Sequence, residues 1–304
     1  MNGILLIDKP KGKTSHVIVH DIKKILKARR AGHTGTLDPF ATGVLPVCLN
    51  NATKVIPFLD ESFKEYEATL RLGVATDTMD ETGEITNVTE LDEISLNDIE
   101  VAFSSVKNEP MQLPPMYSAL KHKGRRLYEL ARNGIEVERS LRAVKIAELK
   151  ILDFRSPLLK FFVKCSRGTY VRALAADIGS KLGCGGHLID LRRLRSGNFK
   201  IEDTITIEEI MCGELNLIPI DRALSHLKQV YVTKDTSVRI RNGEQVRKCY
   251  LHLSDIPEFE AGERLAFYDN TNLISVSHAR FSSNDFNKIE PKQIIFNHLR
   301  VFNS

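Results

Sequence analysis

A single carboxylate stands in an otherwise uncharged, turn-forming stretch, AGHTGTLDPFATGVLPV, at residues 31–47. Pro39 favours an extended backbone at Asp38, and the surrounding glycines permit tight turns and close backbone approach. Such a loop can hold one ionised side chain in a fixed pose, as a nucleophile or a general base requires. On spacing alone, an aspartate that caps a turn through its own backbone is the commoner case. Other residues must therefore decide between these two explanations.

A second candidate is the junction between a strand and a helix in LKFFVKCSRGTYVRALAADIGSKLG. Apolar residues alternate up to the break at Gly168 and then recur at helical spacing. Tyr170 and Arg172 lie where the strand becomes the helix, which is a common place for functional side chains. An arginine near Asp38 would keep that carboxylate ionised by lowering its pKa. Arg172, at this junction, is a candidate partner.

The elements that would position these residues follow from hydrophobic periodicity. GILLIDK predicts a short strand, and SHVIVHDIKKILKARR predicts a helix with one apolar face. YEATLRL alternates with period two, which predicts a half-buried strand whose inward face begins at Tyr66. The next segment, GVATDTMDETGEIT, contains Asp77, Asp80 and Glu81 but does not match the EF-hand pattern. We predict that it is a polar, turn-rich loop.

A proline-bounded basic segment, NEPMQLPPMYSALKHKGRRLYELARNG, begins an insertion at about residues 109–142. We predict a helix from Arg125 to Arg132, with Gly134 as its stop signal. The other basic runs are Lys9–Lys13, Lys23–Arg30 and Arg192–Arg195. The net charge is only +4 and the pI is about 8.7. The clustering of cations beside unusual loops nevertheless favours a polyanionic partner, since such runs can neutralise phosphates.

The pattern changes to short alternating segments after Leu227. VRIRNGEQV and RLAFYDNTNLISVS predict hairpins, the second with DNTN as its turn. We therefore place a small β-rich module from about Val230 onward, after a larger domain that combines helices with strands. The predicted fold class is α+β, with a mixed and largely antiparallel sheet.

Composition and motifs narrow the function classes. Five scattered cysteines without a C-x-x-C pair, and nine histidines without an H-E-x-x-H spacing, argue against a disulfide framework and against a metal site. The apolar run ILLI ends at Asp8 and is too short for a signal peptide or a membrane span, which favours a cytoplasmic protein. GKT matches the tail of a phosphate-binding loop, but Ile7 stands where that motif requires glycine and Pro10 removes an amide donor. A nucleotide hydrolase is therefore a minor alternative.

Five segments together resemble one known family. GHTGTLDPFATGVLPVCL resembles the signature of the tRNA pseudouridine synthase B family, and DKPKGKTSH is similar to its first motif. KEYEATLRLGVATDTMDETGEI, PPMYSALKHKGRRLYELARNG and SRGTYVRALAADIGSKLGCGGHLIDLRRLRSG resemble the family's tyrosine strand, RNA-gripping insertion and arginine motif. The segments span about residues 3–199, far more than a chance motif match. Asn50, where the family often has glycine, and Leu194, where threonine is frequent, depart from the pattern.

The resemblance implies roles for particular residues. Asp38 matches the catalytic aspartate, which attacks the sugar or the base, and Arg172 matches the arginine paired with it. Tyr66 matches a tyrosine that stacks on the target base and helps to remove its proton. Residues implied to bind substrate or support the site are His33, which stacks in the RNA loop, Tyr170 and Leu191, which line the pocket, and Lys9 and Pro10, in a supporting loop.

The resemblance also implies a function and a domain organisation. Members of the family isomerise uridine to pseudouridine in the T-loop of tRNA (uridine-55), on a flipped-out base and without cofactor, metal or nucleotide. The implied domains are a pseudouridine synthase catalytic domain at residues 1–228 and a small β-rich, PUA-like RNA-binding domain at residues 229–304. We expect a monomer that binds the T-arm of tRNA and no membrane. The alternative is a catalytically inactive tRNA-binding or chaperone relative.

Overall fold

The computed structural model describes residues 1–60, 62–108, 111–251, 256–270 and 272–302. Three residues of the segments quoted above lie outside this part of the chain. They are Glu109 and Pro110, at the start of the insertion, and Thr271, in the predicted DNTN turn.

The described part of the chain contains α-helices, β-strands and short 3₁₀ helices. The α-helices are α1 (Ser15–Ile25), α2 (Leu96–Asn108), α3 (Leu127–Ala131), α4 (Val171–Lys181), α5 (Ile207–Met211), α6 (Ile220–Ala223) and α7 (Lys234–Arg241). The strands are β1 (Gly3–Lys9), β2 (Ala31–His33), β3 (Thr42–Leu49), β4 (Phe63–Leu72), β5 (Val74–Thr76), β6 (Ile85–Val88), β7 (Met111–Gln112), β8 (Lys121–His122), β9 (Arg125–Arg126), β10 (Arg142–Ala143), β11 (Ile146–Arg155), β12 (Leu158–Ser166), β13 (Gly186–Ser196), β14 (Phe199–Lys200), β15 (Leu217–Ile218), β16 (Lys228–Tyr231), β17 (Val246–Arg247), β18 (Arg264–Asp269), β19 (Asn272–Ala279) and β20 (Ile294–Val301). The 3₁₀ helices are Asn50–Phe58, Ile201–Asp203, Lys248–Tyr250 and Ser283–Lys288.

The central sheet is mixed and largely antiparallel, as predicted. Its strands follow the order β11-β12-β4-β13-β3-β1-β15, with β2 paired to β3 and β14 paired to β13. Strands β13 and β3 run parallel, whereas β4 is antiparallel to both of its neighbours. This register places Tyr66 of β4 opposite Val163 on one side and Arg193 on the other. The sheet thus brings together three segments that are far apart in the sequence.

Helices α1, α2 and α4 bury their apolar faces in one core with the sheet, through residues such as Ile22, Phe103 and Leu174. Phe103 of α2 meets Phe161 of β12 edge to face, with ring centroids 6.0 Å apart. Burial of each large apolar side chain contributes about 1.5–3 kcal/mol. The core therefore holds α4 firmly, and the first turn of α4 carries Arg172.

The half-buried strand predicted for YEATLRL is confirmed, since Tyr66, Ala68 and Leu70 face the core. The departure at Asn50 also has a physical explanation. This residue has a φ of 51°, in the left-handed region that glycine and asparagine tolerate best. Its side-chain oxygen accepts hydrogen bonds from Arg29 N at 2.8 Å and Arg30 N at 3.1 Å. Asparagine therefore suits the turn as well as glycine does.

Two local predictions were wrong. The segment GVATDTMDETGEIT is not only a loop, because it contains β5 and the start of β6, which pair with each other as a hairpin. VRIRNGEQV does not form a hairpin, because its first half belongs to α7, which Thr233 caps by accepting from Thr236 N. Ile240 is buried whereas Val238 is 52% exposed. The two residues therefore do not share a strand face, and a period-two pattern over so few residues was misleading.

The last part of the chain forms a separate sheet with the strand order β16-β18-β19-β20-β17. The hairpin of β18 and β19 was predicted from the sequence and is confirmed. Val276 and Phe302 pack in one cluster with Ile4 and Val44 of the central sheet. The C-terminal sheet is therefore seated against the larger one. The exact division at residues 228 and 229 stays a prediction.

Candidate active site

Asp38 lies in the loop between β2 and β3, and hydrogen bonds hold the backbone on both sides of it. Ser15 Oγ accepts from Leu37 N at 2.9 Å and donates to Leu37 O at 3.0 Å. Gly12 N donates to Pro39 O at 2.7 Å. Ser15 and Leu37 are both buried, so these bonds are shielded from water. The loop thus fixes the direction of the Asp38 side chain without a helix or strand at that position.

Lys9 supports the same loop from within the core. Its side chain is fully buried, and Nζ donates to Pro10 O at 2.8 Å, Lys13 O at 2.7 Å and Pro39 O at 3.3 Å. Burial lowers the pKa of Lys9 to about 8, and the negative charge of Asp38 opposes that shift. Lys9 therefore holds the backbone beside Asp38, as a supporting residue would.

Arg172 is the ion-pair partner of Asp38. Its Nε lies 2.8 Å from Asp38 Oδ2, and its side chain is only 4% exposed. Nη1 donates to Thr78 O at 2.7 Å, and Nη2 donates to Tyr117 O at 2.8 Å. A planar guanidinium suits such a set of acceptors because its donors point in fixed directions. The side chain is therefore held rigidly beside the carboxylate.

A second carboxylate, that of Asp80, also forms an ion pair with Arg172. Its Oδ2 lies 3.1 Å from Arg172 Nη1, and both side chains are 4% exposed. The other oxygen, Oδ1, accepts from Thr78 Oγ1 at 2.8 Å and from Thr82 N at 3.0 Å. Asp80 was predicted only to lie in a polar, turn-rich loop, and its contact with Arg172 was not predicted. The signal was present in three acids that follow the Tyr66 strand, but pattern alone does not show which of them turns inward.

The balance of these contacts sets the ionisation of Asp38. Burial raises the pKa of Asp38, Arg172 lowers it, and the like charge of Asp80 raises it further. We predicted that Arg172 would lower this pKa, and it does act in that direction, but burial has the larger effect. About one-third of the Asp38 side chain is exposed. The carboxylate thus keeps one open side toward the cavity described below.

Tyr66 stands beside Arg193 on the neighbouring strand. Burial raises the pKa of Tyr66 to about 12, and the charge of Arg193 opposes this shift. Arg193 is itself fully buried, with Nε donating to Val44 O at 2.7 Å and Nη2 to Gly35 O at 3.0 Å. The prediction that the run Arg192–Arg195 faces a polyanion is therefore wrong for Arg193. This arginine ties the Asp38 loop to β13 instead.

A cavity of about 330 Å³ opens at Asp38. This is at the small end of the volumes of ligand pockets, roughly 300–1,000 Å³, and suits one nucleotide rather than a long segment. The predicted site residues that line it are Asp38, Tyr66, Tyr170, Arg172 and Leu191. Lys64 and Arg167 also line the cavity and were missed by the sequence analysis. They add positive charge to its walls.

Three predicted residues do not line this cavity. Lys9 and Pro10 form part of the supporting loop, with Pro10 exposed. His33 lies on β2, where it is half-buried and pairs in register with Val47. Its predicted role in stacking on the RNA loop therefore concerns the surface next to the cavity rather than its interior.

The described part of the insertion, residues 111–142, lies beside the cavity, and its Ser118 and Ala119 line the cavity wall. Its base is formed by the pairing of β7 with β10, in which Gln112 is opposite Arg142. Beyond this base, β8 and β9 form a small hairpin whose Arg125 and Arg126 are exposed. The helix predicted from Arg125 is shorter than expected, because α3 begins at Leu127 and ends at Ala131. The exposed cations are placed to contact a phosphate backbone.

Two further findings concern the described residues as a whole. In that part of the chain, no group of three or more His, Cys, Asp or Glu side chains is arranged to hold a metal ion. Among the same residues, none of the helices combines the length and the apolar character needed to cross a bilayer.

Solved structures share this fold. A chain from a Cbf5-Nop10-Gar1 complex is similar with a TM-score of 0.75 at 28% identity, covering 98% of this chain and 84% of that one. A chain from an H/ACA RNP bound to a substrate RNA containing 2′-deoxyuridine is similar with a TM-score of 0.73 at 26% identity, covering 99% and 85%. The fold is that of the pseudouridine synthases.

Sequence comparisons narrow this class to one family. Residues 23–171 match the model of the TruB family pseudouridylate synthase (N terminal domain), and residues 172–225 match that of the tRNA pseudouridylate synthase B C-terminal domain. The tRNA pseudouridine synthase B of Clostridium tetani is 41% identical over 278 residues, covering 91% of this chain and 95% of the relative. That of Syntrophus aciditrophicus is 40% identical over 311 residues, covering 99% of each. The chain belongs to the tRNA pseudouridine synthase B family, and it is an isomerase that converts uridine to pseudouridine in tRNA.

Proposed function

We propose that the target is uridine-55 in the T-loop of tRNA, and that Asp38 is the nucleophile. The observation that carries this proposal is the contact of Asp38 with Arg172 at 2.8 Å, at the wall of a cavity large enough for one nucleotide. A loop uridine must leave its stack to enter such a cavity, which costs a few kcal/mol. The aromatic ring of Tyr66 in the cavity wall can recover part of that cost by stacking.

The chemistry needs an ionised carboxylate with one free oxygen face. Asp38 can attack either the ribose C1′, which releases uracil, or C6 of the base, and in both routes the bond between N1 and C1′ breaks. The uracil turns, a bond forms between C5 and C1′, and the bond between Asp38 and the substrate breaks, which restores the free carboxylate. The proton leaves C5 and N1 gains one, so that the reaction is an isomerisation with no change of oxidation state. Tyr66 borders the cavity, and burial raises its pKa to about 12, so in this proposal it helps to remove the C5 proton by passing on its own hydroxyl proton as it accepts that one.

The remaining site residues have supporting roles in this proposal. Tyr170 and Leu191 shape the cavity around the base, and His33 stacks on a neighbouring nucleotide of the loop. Lys9 and Pro10 hold the backbone beside Asp38. The exposed cations of the insertion bind the T-arm backbone. We further propose that the C-terminal sheet is a PUA-like RNA-binding domain and that the enzyme acts as a monomer in the cytoplasm.

The two alternatives fit the structure less well. A catalytically inactive tRNA-binding protein would not require a buried arginine shared by two carboxylates. A phosphate-loop hydrolase would need free backbone amides before the lysine of its GKT sequence. Here Gly12 N donates to Pro39 O at 2.7 Å, and Lys13 Nζ lies 3.1 Å from Asp21. Both groups are thus engaged inside the protein.

The test is direct. Purified protein is incubated with an unmodified tRNA transcript, with a chelator and no cofactor, and pseudouridine is mapped by carbodiimide adduct formation and primer extension. We expect one pseudouridine at the T-loop uridine from the wild type and none from Asp38→Asn, while tRNA affinity is retained. Asp153→Asn is the matched control, since Asp153 is an exposed residue of β11.

Each outcome has a definite meaning. Pseudouridine at a uridine outside the T-loop would contradict the proposed substrate site. Undiminished activity of Asp38→Asn would contradict the proposed nucleophile. Tight tRNA binding without pseudouridine formation by the wild type would favour the inactive-relative alternative.

A further inference from the structure

Gln112 connects the insertion to the helix that carries Arg172. It lies in β7, at the base of the insertion, and its side chain is 4% exposed. Gln112 Nε2 donates to Tyr170 O at 3.0 Å, and Tyr170 N donates to Gln112 Oε1 at 2.8 Å. Only one orientation of the amide satisfies both bonds, because the flipped group would place two donors and two acceptors face to face. The pairing thus fixes the side chain uniquely.

Tyr170 is the N-cap residue of α4, and no side chain caps the helix at that position. Helix starts leave backbone groups without intrahelical partners, and these usually depend on a nearby polar side chain. In this helix the side chain comes from Gln112, 58 positions earlier in the chain. Arg172 follows two residues after Tyr170. The orientation of its side chain therefore depends on how the insertion meets the helix.

The insertion touches the same helix turn at a second point. Tyr117 O accepts a hydrogen bond from Arg172 Nη2 at 2.8 Å. The hydroxyl of Tyr117 donates to Asp77 Oδ2 at 3.0 Å, so this backbone segment is itself held in place. The guanidinium that contacts Asp38 is thus attached to the insertion directly, while its helix is attached through Gln112.

We propose that Gln112 is a positioning residue that couples the RNA-gripping insertion to the Arg172–Asp38 ion pair. When RNA binds to the insertion, the amide pairing with Tyr170 holds the first turn of α4 in place and so keeps the guanidinium against the carboxylate. The proposal rests on the proposed role of Asp38 and Arg172. It assigns to Gln112 an effect on the chemical step and not on tRNA affinity.

Gln112→Met is the first test, because methionine is of similar length and lacks both the donor and the acceptor. We expect the single-turnover rate at saturating tRNA to fall about 10- to 100-fold, because a small misplacement of the reacting groups slows a reaction by factors of this size. The Kd for tRNA should stay within about threefold, since the phosphate contacts are elsewhere. Asn97→Met is the control, since Asn97 is an exposed amide residue of α2. It should match the wild type.

Hydrogen exchange can distinguish a coupling role of Gln112 from a purely structural one. In the wild type, tRNA should slow exchange both in the insertion and in the first turn of α4. In Gln112→Met, protection of the insertion should persist while that of residues 170–174 is lost. Exchange in β12 should be the same in both proteins, which shows that the variant is folded.

Gln112→Glu adds a pH-dependent test. An ionised glutamate can accept from Tyr170 N but cannot donate to Tyr170 O. The rate of Gln112→Glu, divided by that of the wild type at the same pH, should be low at neutral pH. This ratio should recover as the pH falls, because the carboxyl then gains a proton that it can donate to Tyr170 O. The division removes the pH dependence of Asp38 itself.

Three results would overturn the proposal. They are an unchanged rate in Gln112→Met, a loss confined to tRNA affinity, and a Gln112→Glu ratio that does not vary with pH. Failure of the proposed function is distinguishable, because it would show in the wild type and in Asp38→Asn without any change at Gln112.

Discussion

Replacement of Lys9 by methionine tests how the loop that carries Asp38 is held. The ammonium group is fully buried and donates to three backbone carbonyls, of which Pro39 O adjoins Asp38. Methionine keeps most of the volume and removes every donor. Each buried carbonyl that is left without a donor costs about 1–3 kcal/mol. We therefore expect Lys9→Met to be less stable at neutral pH and to have a lower rate of pseudouridine formation.

The pH dependence of this loss has a definite sign. The pKa of Lys9 falls from 10.5 in the unfolded chain to about 8 in the folded protein, mainly through burial. Between these values the unfolded chain binds more protons, so the free energy of unfolding of the wild type rises with pH. The full difference between the two pKa values corresponds to about 3 kcal/mol in the free energy of unfolding. Methionine does not titrate, so the stability difference between wild type and Lys9→Met should grow as the pH rises.

The assay is urea unfolding of both proteins at about pH 7 and about pH 9.5, where the difference should widen by about 2 kcal/mol. Comparison with Lys9→Met cancels the titration of all other groups. Lys13→Met is the control, because Lys13 is exposed and its Nζ contacts Asp21. Its difference from the wild type should be nearly constant. A constant or shrinking difference for Lys9→Met would refute the reasoning.

Three further predictions concern the acids and Arg172. The proposed mechanism requires an ionised Asp38, and burial raises its pKa above 3.8, so the single-turnover rate should decline on the acid side at a pH above that value. Asp80→Asn removes a like charge that raises this pKa, so the decline in its own pH–rate profile should move to lower pH. Arg172→Lys cannot span Asp38, Asp80 and Tyr117 O with one ammonium group. Its rate should fall about 100-fold at saturating tRNA, and a rate equal to that of the wild type would contradict the geometry.

Much of the fold could be predicted because most elements show their own periodicity. The strand at Tyr66 and helices α1, α2 and α4 each expose one face and bury the other. The hairpin strand predicted at Val238 was wrong because two apolar residues two positions apart fit a strand and a helix equally well. The inward position of Asp80 was not predicted for another reason. Whether an acid in a turn faces water or Arg172 depends on contacts between residues far apart in sequence.

The candidate site was predicted through separate segments, and the sequence does not show how they meet. Asp38 and Arg172 were predicted to form a pair because each lies in an unusual segment and because the family resemblance implies that they are partners. Arg193 was assigned to a basic surface run, although the register of β13 against β4 turns it inward toward Tyr66. Gln112 carries no motif of its own. Its role becomes visible only when both amide hydrogen bonds to Tyr170 are seen.

The charge arrangement around Arg172 has a consequence for reactivity. One guanidinium serves two carboxylates, so Asp38 receives only part of its stabilising charge. A carboxylate that is too well stabilised is a weak nucleophile, whereas a buried carboxylate without a counterion would bind a proton instead. In the proposed mechanism, Arg172 lowers the pKa of Asp38 against the effect of burial, while its sharing with Asp80 limits how strongly it stabilises the carboxylate. The second acid, Asp80, is therefore as much a part of this arrangement as the arginine that both acids share.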